Sequence, residues 1–222
     1  LSTFYIYYAA MMMHVDRGLA ELITALERKN LAKNTQIILT ADNGGYHFQQ
    51  AFHQLRGQKS ELYEGGIRVP LIFWNWQATG ERVSPVSLMD IFPTIASVIG
   101  HAPTGLDGLD ISQVIGGKEQ RERSLYWYFP VYTVDIMRET TDNFSQRPAA
   151  VLRQGDYKYI RSLEPNRAPE LFNLKTDPKE QRSLHAIELK KRQQIEAQLD
   201  RWLQENVSAG VTNQTSANNV VQ

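Results

Sequence analysis

The residues best suited to chemistry fall in two loops. In the run ADNGG, Asp42 and Asn43 set a carboxylate beside an amide carbonyl. Both are hard oxygen donors, fitted to Ca²⁺ or Mg²⁺ rather than to zinc. The same residue types form turns, so a plain turn is the competing reading. A divalent ion also needs further carboxylates, and none is close in sequence. In the second loop Arg56 and Lys59 make a small basic cluster. Lys59 can act as a point-charge donor to a sulfate or phosphate oxygen, although solvated surface charge is the commoner fate. His47 and His53 can exchange protons near neutral pH, but a loop histidine more often has no such role. Tyr63-Glu64-Gly65-Gly66 reads as a structural turn, with Glu64 satisfying backbone donors.

Composition narrows the setting. The chain has 222 residues, 42% hydrophobic and 22% charged, which excludes disorder for most of its length. Lys plus Arg is 24 and Asp plus Glu is 24, so a nucleic-acid binder working by phosphate neutralisation is disfavoured. With no cysteine there is no disulfide, no thiolate metal site and no cysteine nucleophile. No apolar run reaches the roughly 20 residues of a membrane span. Gly-x-Ser-x-Gly, a Gly-rich phosphate loop and His-Glu-x-x-His are all missing. The sequence opens on Leu-Ser-Thr-Phe, directly into a helical pattern, and reads as a piece of a longer protein.

The elements that must position these residues follow from periodicity. Residues 5–30 read as an amphipathic helix, with Val15, Leu19, Leu22, Ile23 and Leu26 on one face. Met11–Met13 read as gap-filling packing and His14 as a structural residue. Residues 35–41 (TQIILTA) read as a buried strand that delivers Asp42 and Asn43 at its carboxyl end. Residues 67–74 (IRVPLIFW) read as a second buried strand, which Pro70 biases towards an edge, a bulge or a strand start. Residues 90–99 read as a short helix with Asp90 as N-cap and Gly100 as stop. The segment 101–117 reads as loop. Residues 124–129, 149–153, 157–161 and 170–174 read as strands of a small antiparallel sheet, separated by turn signals such as Gly155-Asp156. Residues 184–205 read as a closing helix, and the polar tail beyond it as disordered.

Taken in order, these segments resemble the second half of the sulfatases. YYAAMMMHVD (7–16) is similar to the helix before the family's second metal motif, and TQIILTADNGG to that motif itself. LRGQKSELYEGGIRVPLIFW (55–74) resembles the most diagnostic segment of that half. SLMDIFPTIASVIG and LDGLDI follow in the family's order. SLYWYFP, AAVLRQGDYKYIRS, ELFNLKTDPKEQRSL and the last helix resemble the small C-terminal subdomain of arylsulfatase-like carbohydrate sulfatases. The resemblance covers residues 4–205.

It implies an α/β fold. The C-terminal part of an alkaline-phosphatase-like sheet-and-helix domain would occupy residues 1–117, and a small antiparallel sheet with a helix 118–206. It implies a sulfate ester hydrolase in which Asp42 and Asn43 bind a divalent cation, commonly calcium. Lys59 would contact the substrate sulfate. Arg56 is a further candidate for substrate binding, and His47 for acid–base work. The family's nucleophile is a formylglycine made from a Cys or Ser in a context found nowhere in this chain. The paired aspartates that complete the metal site also belong to an N-terminal segment, so the isolated chain is expected to be inactive. Many relatives carry His where Tyr128 and Val131 stand, which removes a substrate-contacting group. The implied partner is a sulfated carbohydrate or aryl sulfate, and relatives of this type are commonly periplasmic or extracellular. Self-association through the face left by a missing half is expected. Two alternatives stay open. One is a phosphodiesterase or phosphonate hydrolase of the same superfamily. The other is a non-catalytic glycan-binding module using Trp74, Trp76, Tyr126, Trp127 and Tyr128.

Overall fold

The computed structural model describes residues 3–46, 54–76, 78–118, 123–134 and 144–208. His47, His53 and the polar tail from 209 lie outside the described residues.

The first helix, α1, runs Thr3–Arg28. It ends on Asn30 in the left-handed region (φ 57°), and Leu31 N–H reaches back to Leu26 O at 2.8 Å. This left-handed cap satisfies carbonyls that the helix end leaves free. Leu19, Ile23 and Leu26 are half-buried, but Val15 and Leu22 are exposed, as are His14 and Met11–Met13. The packing expected of those methionines is not met, because no described element covers that side of α1.

The first two strands correct the expectation of buried strands in an α/β repeat. They are short, β1 Ile37–Thr40 and β2 Leu71–Trp74, and they pair antiparallel with Ile37 opposite Trp74. Every residue of β1 is only half-buried, and Ile72 of β2 is exposed. Pro70 lies just before β2, where its missing N–H costs the ladder nothing, and its carbonyl accepts from Thr40 Oγ1 at 2.8 Å. Residues 64–67, read in part as strand, instead form a single helical turn, α2 (Glu64–Ile67).

The helix read at 90–99 is α3, Ile91–Val98, entered through a 3₁₀ turn at Leu88–Asp90. Asp90 stands at the N-cap position as expected, but its side chain makes no cap bond to this helix. Its carboxylate closes a capping box with Ser87, receives Leu109 N–H at 2.9 Å and pairs with Arg123 at 2.6 Å. One buried carboxylate thus ties three segments together. Within the region read as loop, Ser112–Ile115 forms a helical turn, α4, whose Val114 and Ile115 join Ile111 in a core shared with Phe73 and Trp76.

The small sheet agrees with the sequence to within a residue or two. Its strands are β3 Ser124–Phe129, β6 Ala149–Gln154, β7 Tyr157–Ser162 and β8 Glu170–Asn173, antiparallel in that spatial order. Between β3 and β6 a short ladder that the sequence did not suggest joins β4 Thr133–Val134 to β5 Phe144–Gln146. Helix α5 begins later than expected, at Leu189, runs to Leu203 and unwinds through a π turn at Gln204–Ser208. Alternation along β6 and β7 divides the core in two. Ala150, Leu152 and Tyr159 meet Ile195 and Leu199 of α5. Ala149, Val151 and Ile160 meet Leu62, Tyr63 and Ile67. The loop that carries Lys59 therefore lies directly on the sheet.

Candidate functional site

The site is built from three backbone segments locked together at glycines. Gly44 N–H donates to Gly66 O at 2.8 Å, and Lys59 N–H donates to Gly45 O at 2.8 Å. Gly65 N–H donates to Arg56 O at 2.6 Å. The contacts leave no room for a side chain. A Cβ on Gly44 would sit 1.8 Å from Gly65 O, and one on Gly66 would sit 2.0 Å from Glu61 O. Glycine at these positions is thus a requirement of close backbone approach. Beyond Lys59 the chain turns through Ser60 at φ 72°, a left-handed conformation unfavourable for serine and retained only where neighbours enforce it. The platform sets the Asp42-Asn43 loop beside the Lys59 loop.

On this platform the charges differ in their commitments. Asp42 and Lys59 are exposed, and neither side chain has a hydrogen-bond or ion-pair partner among the described residues. Asn43 spends its amide donor on Gly44 O at 2.9 Å, which leaves its carbonyl oxygen as the atom able to ligate a cation. The donors fit a hard cation in kind. Among the described residues, however, no group of three His, Asp or Glu converges to complete such a site.

Arg56, a candidate for substrate binding, is engaged with the sheet side of its loop. Its guanidinium donates to Glu170 at 3.2 Å, to the Glu180 carbonyl at 2.9 Å and to Tyr63 Oη at 2.8 Å. It also lies 3.8 Å over the Tyr63 ring. The Tyr63 hydroxyl donates to Glu170 at 2.5 Å. Burial first, and that bond second, push the Tyr63 phenol well above its ordinary range. Arg56 is a strut between the loop and the sheet.

Glu64 likewise does not cap backbone donors with its side chain. Its carboxylate lies 3.1 Å from Lys158 Nζ, and Lys158 lies 2.8 Å from Glu180. All three side chains are buried. Burial pushes the Glu180 carboxyl above the ordinary carboxylate value, with Lys158 pulling it back. Leu62 N–H, next to this cluster, is received by Gln146 Oε1 at 2.9 Å. Sequence reasoning passed over Lys158, Glu180 and Glu170. The signal available was Lys158 sharing a strand face with Ile160, a position where a solvated lysine does not belong.

The aromatics considered for sugar stacking are largely spent on the core. Trp76 packs edge-on against Phe73 with centroids 5.0 Å apart. Tyr126 stacks on Trp202 at 4.7 Å, and Trp127 packs on the loop-side core.

The fold is a mixed α/β part beside a separate four-stranded antiparallel sheet with a terminal helix, and comparison with known proteins identifies its family. The N-sulphoglucosamine sulphohydrolase C-terminal family model matches residues 56–209, and the sulfatase family model matches residues 4–101. The chain belongs to the sulfatase family. Arylsulfatase K of Mus musculus is 30% identical over 178 residues, covering 78% of this chain and 31% of the relative. A sulfatase of Formosa agariphila is 31% identical over 195 residues, covering 77% and 34%. The chain thus spans about a third of the length of the curated relatives it matches. The crystal structure of Ps i-CgsB in complex with k-i-k-neocarrahexaose superposes with a TM-score of 0.71 at 25% identity, over 88% of this chain and 42% of that one. The architecture is that of the alkaline-phosphatase-like sulfatases, with the small antiparallel sheet and terminal helix as its closing part.

Proposed function

We propose that this chain forms one wall of the active site of a sulfatase that hydrolyses sulfate esters on carbohydrate. One observation carries the reading. Lys59 stands exposed, without an acidic partner among the described residues, on backbone bonded directly to the loop of Asp42 and Asn43. A rigidly mounted and unneutralised ammonium suits a sulfate ester. It donates to the sulfate oxygens and offsets the charge that builds on them as the ester bond breaks. Because the platform is preorganised, little reorganisation is needed at that moment.

Asp42 and the Asn43 carbonyl would hold a divalent cation, with calcium favoured by an all-oxygen donor set. Bound there, such a cation supplies Lewis-acid polarisation of a sulfate oxygen. Calcium takes roughly 6–8 oxygens, so these two residues are a minority of its ligands. The remaining ligands, and the formylglycine nucleophile that the resemblance implies, would come from the rest of the protein. The carbohydrate assignment is supported by a solved relative held in complex with a neocarrahexaose. With Trp76, Tyr126 and Trp127 packed against other side chains, a glycan-stacking module is the weaker reading.

The test is a titration followed at individual backbone amides. Calcium chloride should shift Asp42 to Gly45 in the wild type and not in Asp42→Ala. Sodium sulfate should shift Lys59 and its neighbours, and Lys59→Ala should remove that response. Indifference of Lys59 to sulfate would defeat the assignment. Arylsulfatase turnover by this chain, abolished by Lys59→Ala, would show that the nucleophile lies within it and overturn the shared-site reading.

A further inference from the structure

The loop-covered face of the sheet buries charge where apolar contacts would hold the elements together. Lys158 is fully buried, with Nζ 2.8 Å from Glu180 Oε1 and 3.1 Å from Glu64 Oε1. Arg153 stands 3.7 Å from the other Glu64 oxygen. Glu180, equally buried, receives the Glu64 backbone N–H at 2.6 Å. Taking such ions out of water is costly, and apolar side chains of similar volume stabilise at least as well. Stability alone is therefore a poor account of this cluster.

Its position gives a better one. Glu64 opens the turn Glu64–Ile67, and two bonds leave that turn for the site. Gly66 O receives Gly44 N–H, which seats the Asp42-Asn43 loop, and Gly65 N–H donates to Arg56 O, which seats the Lys59 loop. Whatever fixes the turn fixes both. An apolar contact tolerates sliding, whereas charge-assisted bonds of set length and direction do not.

We propose that Lys158, with Glu180, is a positioning residue for Lys59. It acts through Glu64 and the 64–66 turn and carries the rigidity of the four-stranded sheet to the site platform. The functional consequence rests on the reading of Lys59 as the sulfate contact, while the mechanical claim can be tested without it.

The experiment is amide hydrogen exchange on the full chain for the wild type, Glu180→Gln, Lys158→Met and Lys59→Ala. Glu180→Gln keeps the side-chain shape and an acceptor for Glu64 N–H, but turns an amide donor towards the Lys158 ammonium. In Glu180→Gln, exchange at Gly44, Lys59 and Gly65 should rise about 10- to 100-fold, while Val151, Leu152 and Ile160 stay within about twofold of the wild type. Acceleration shared equally by the sheet, or none at Lys59, overturns the proposal, because a merely structural role moves all these amides together. Should Lys158→Met fail to fold, Glu180→Gln alone decides. Lys59→Ala separates the two readings. A sulfate response surviving in it refutes the sulfate contact and leaves the exchange result standing. A response lost in it, with unaltered exchange in Glu180→Gln, refutes only the positioning role.

Discussion

One face of the four-stranded sheet carries Ala150, Leu152, Tyr159 and Leu171 beneath helix α5. The other carries Ala149, Val151, Lys158, Ile160 and Phe172 beneath a loop and a single helical turn. The difference follows from what each cover can do for its own backbone. A helix satisfies its own N–H and C=O groups, so its apolar stripe with Ile195 and Leu199 can do most of the docking, with Glu196 and Gln198 bonded to Tyr159 and Gln154 beside it. A loop has no ladder and no stripe. Its peptide groups must find partners one at a time, and its position must be set by directional bonds. Hence Gln146 takes Leu62 N–H, Glu180 takes Glu64 N–H, and Arg56, Tyr63 and Glu170 interlock at the rim. Both faces have an apolar centre, and the helix adds single bonds such as Tyr159 to Glu196 at 2.6 Å and Gln154 to Gln198 at 2.9 Å. Among the described residues, only the loop-covered face adds a fully buried ion cluster.

This contrast can be broken or sharpened by substitution. The largest effect should come from Lys158→Met, which removes the buried cation shared by Glu64 and Glu180 and leaves Glu64 only the more distant Arg153. A loss of about 3–5 kcal/mol in denaturant unfolding is expected. On the opposite face Leu199→Ala opens a cavity under the helix and should cost about 3 kcal/mol, with no change at the Lys59 amide. If Leu199→Ala disturbed Lys59 as strongly as Lys158→Met does, the two faces would not be independent. Gly66→Ala should cost about 2 kcal/mol, because the new methyl would meet Glu61 O at 2.0 Å and Gln58 O at 2.4 Å. Its signature is a weakened sulfate response at modest loss of stability.

The smallest effect is one of pH and compares a tyrosine on each face. Tyr63 and Tyr159 both have phenols raised above the ordinary value of 10.0, chiefly by burial and then by bonds to Glu170 and Glu196. In the interval above pH 10 the folded chain holds these protons while the unfolded chain has released them. Stability therefore falls as pH rises through that interval. Melting temperatures followed from pH 9 to pH 11 should decline, less steeply in Tyr63→Phe and in Tyr159→Phe. An unchanged slope in either variant removes that tyrosine from the explanation.

Much of this was legible in the residue order. The strands β6, β7 and β8 fall within a residue of their expected ends, because Gly155-Asp156 and period-two alternation are local signals. Asp42, Asn43 and Lys59 could be singled out by residue type and by resemblance, and the platform brings their loops together. The failures are of another kind. Residues 67–74 read as a buried strand from composition, yet only Leu71–Trp74 is strand and Ile72 is exposed, since burial depends on what else covers the strand. The bonds of Arg56 to Glu170 and the Glu180 carbonyl could not be read locally, because these acceptors lie more than a hundred residues away. The ladder of Thr133–Val134 with Phe144–Gln146 is too short to leave a pattern.

By itself the sequence determined which segments could be strand or helix, and which side chains could meet a sulfate or a hard cation. Those properties reside in single residues and short spacings. Only the tertiary structure decided that Lys158 is buried between Glu64 and Glu180, that Arg56 is a strut, and that Lys59 is left unpaired among the described residues. The reason is physical. A charge is neutralised, spent or left available by neighbours that the chain brings in from far away, and no local pattern records which of these it will be.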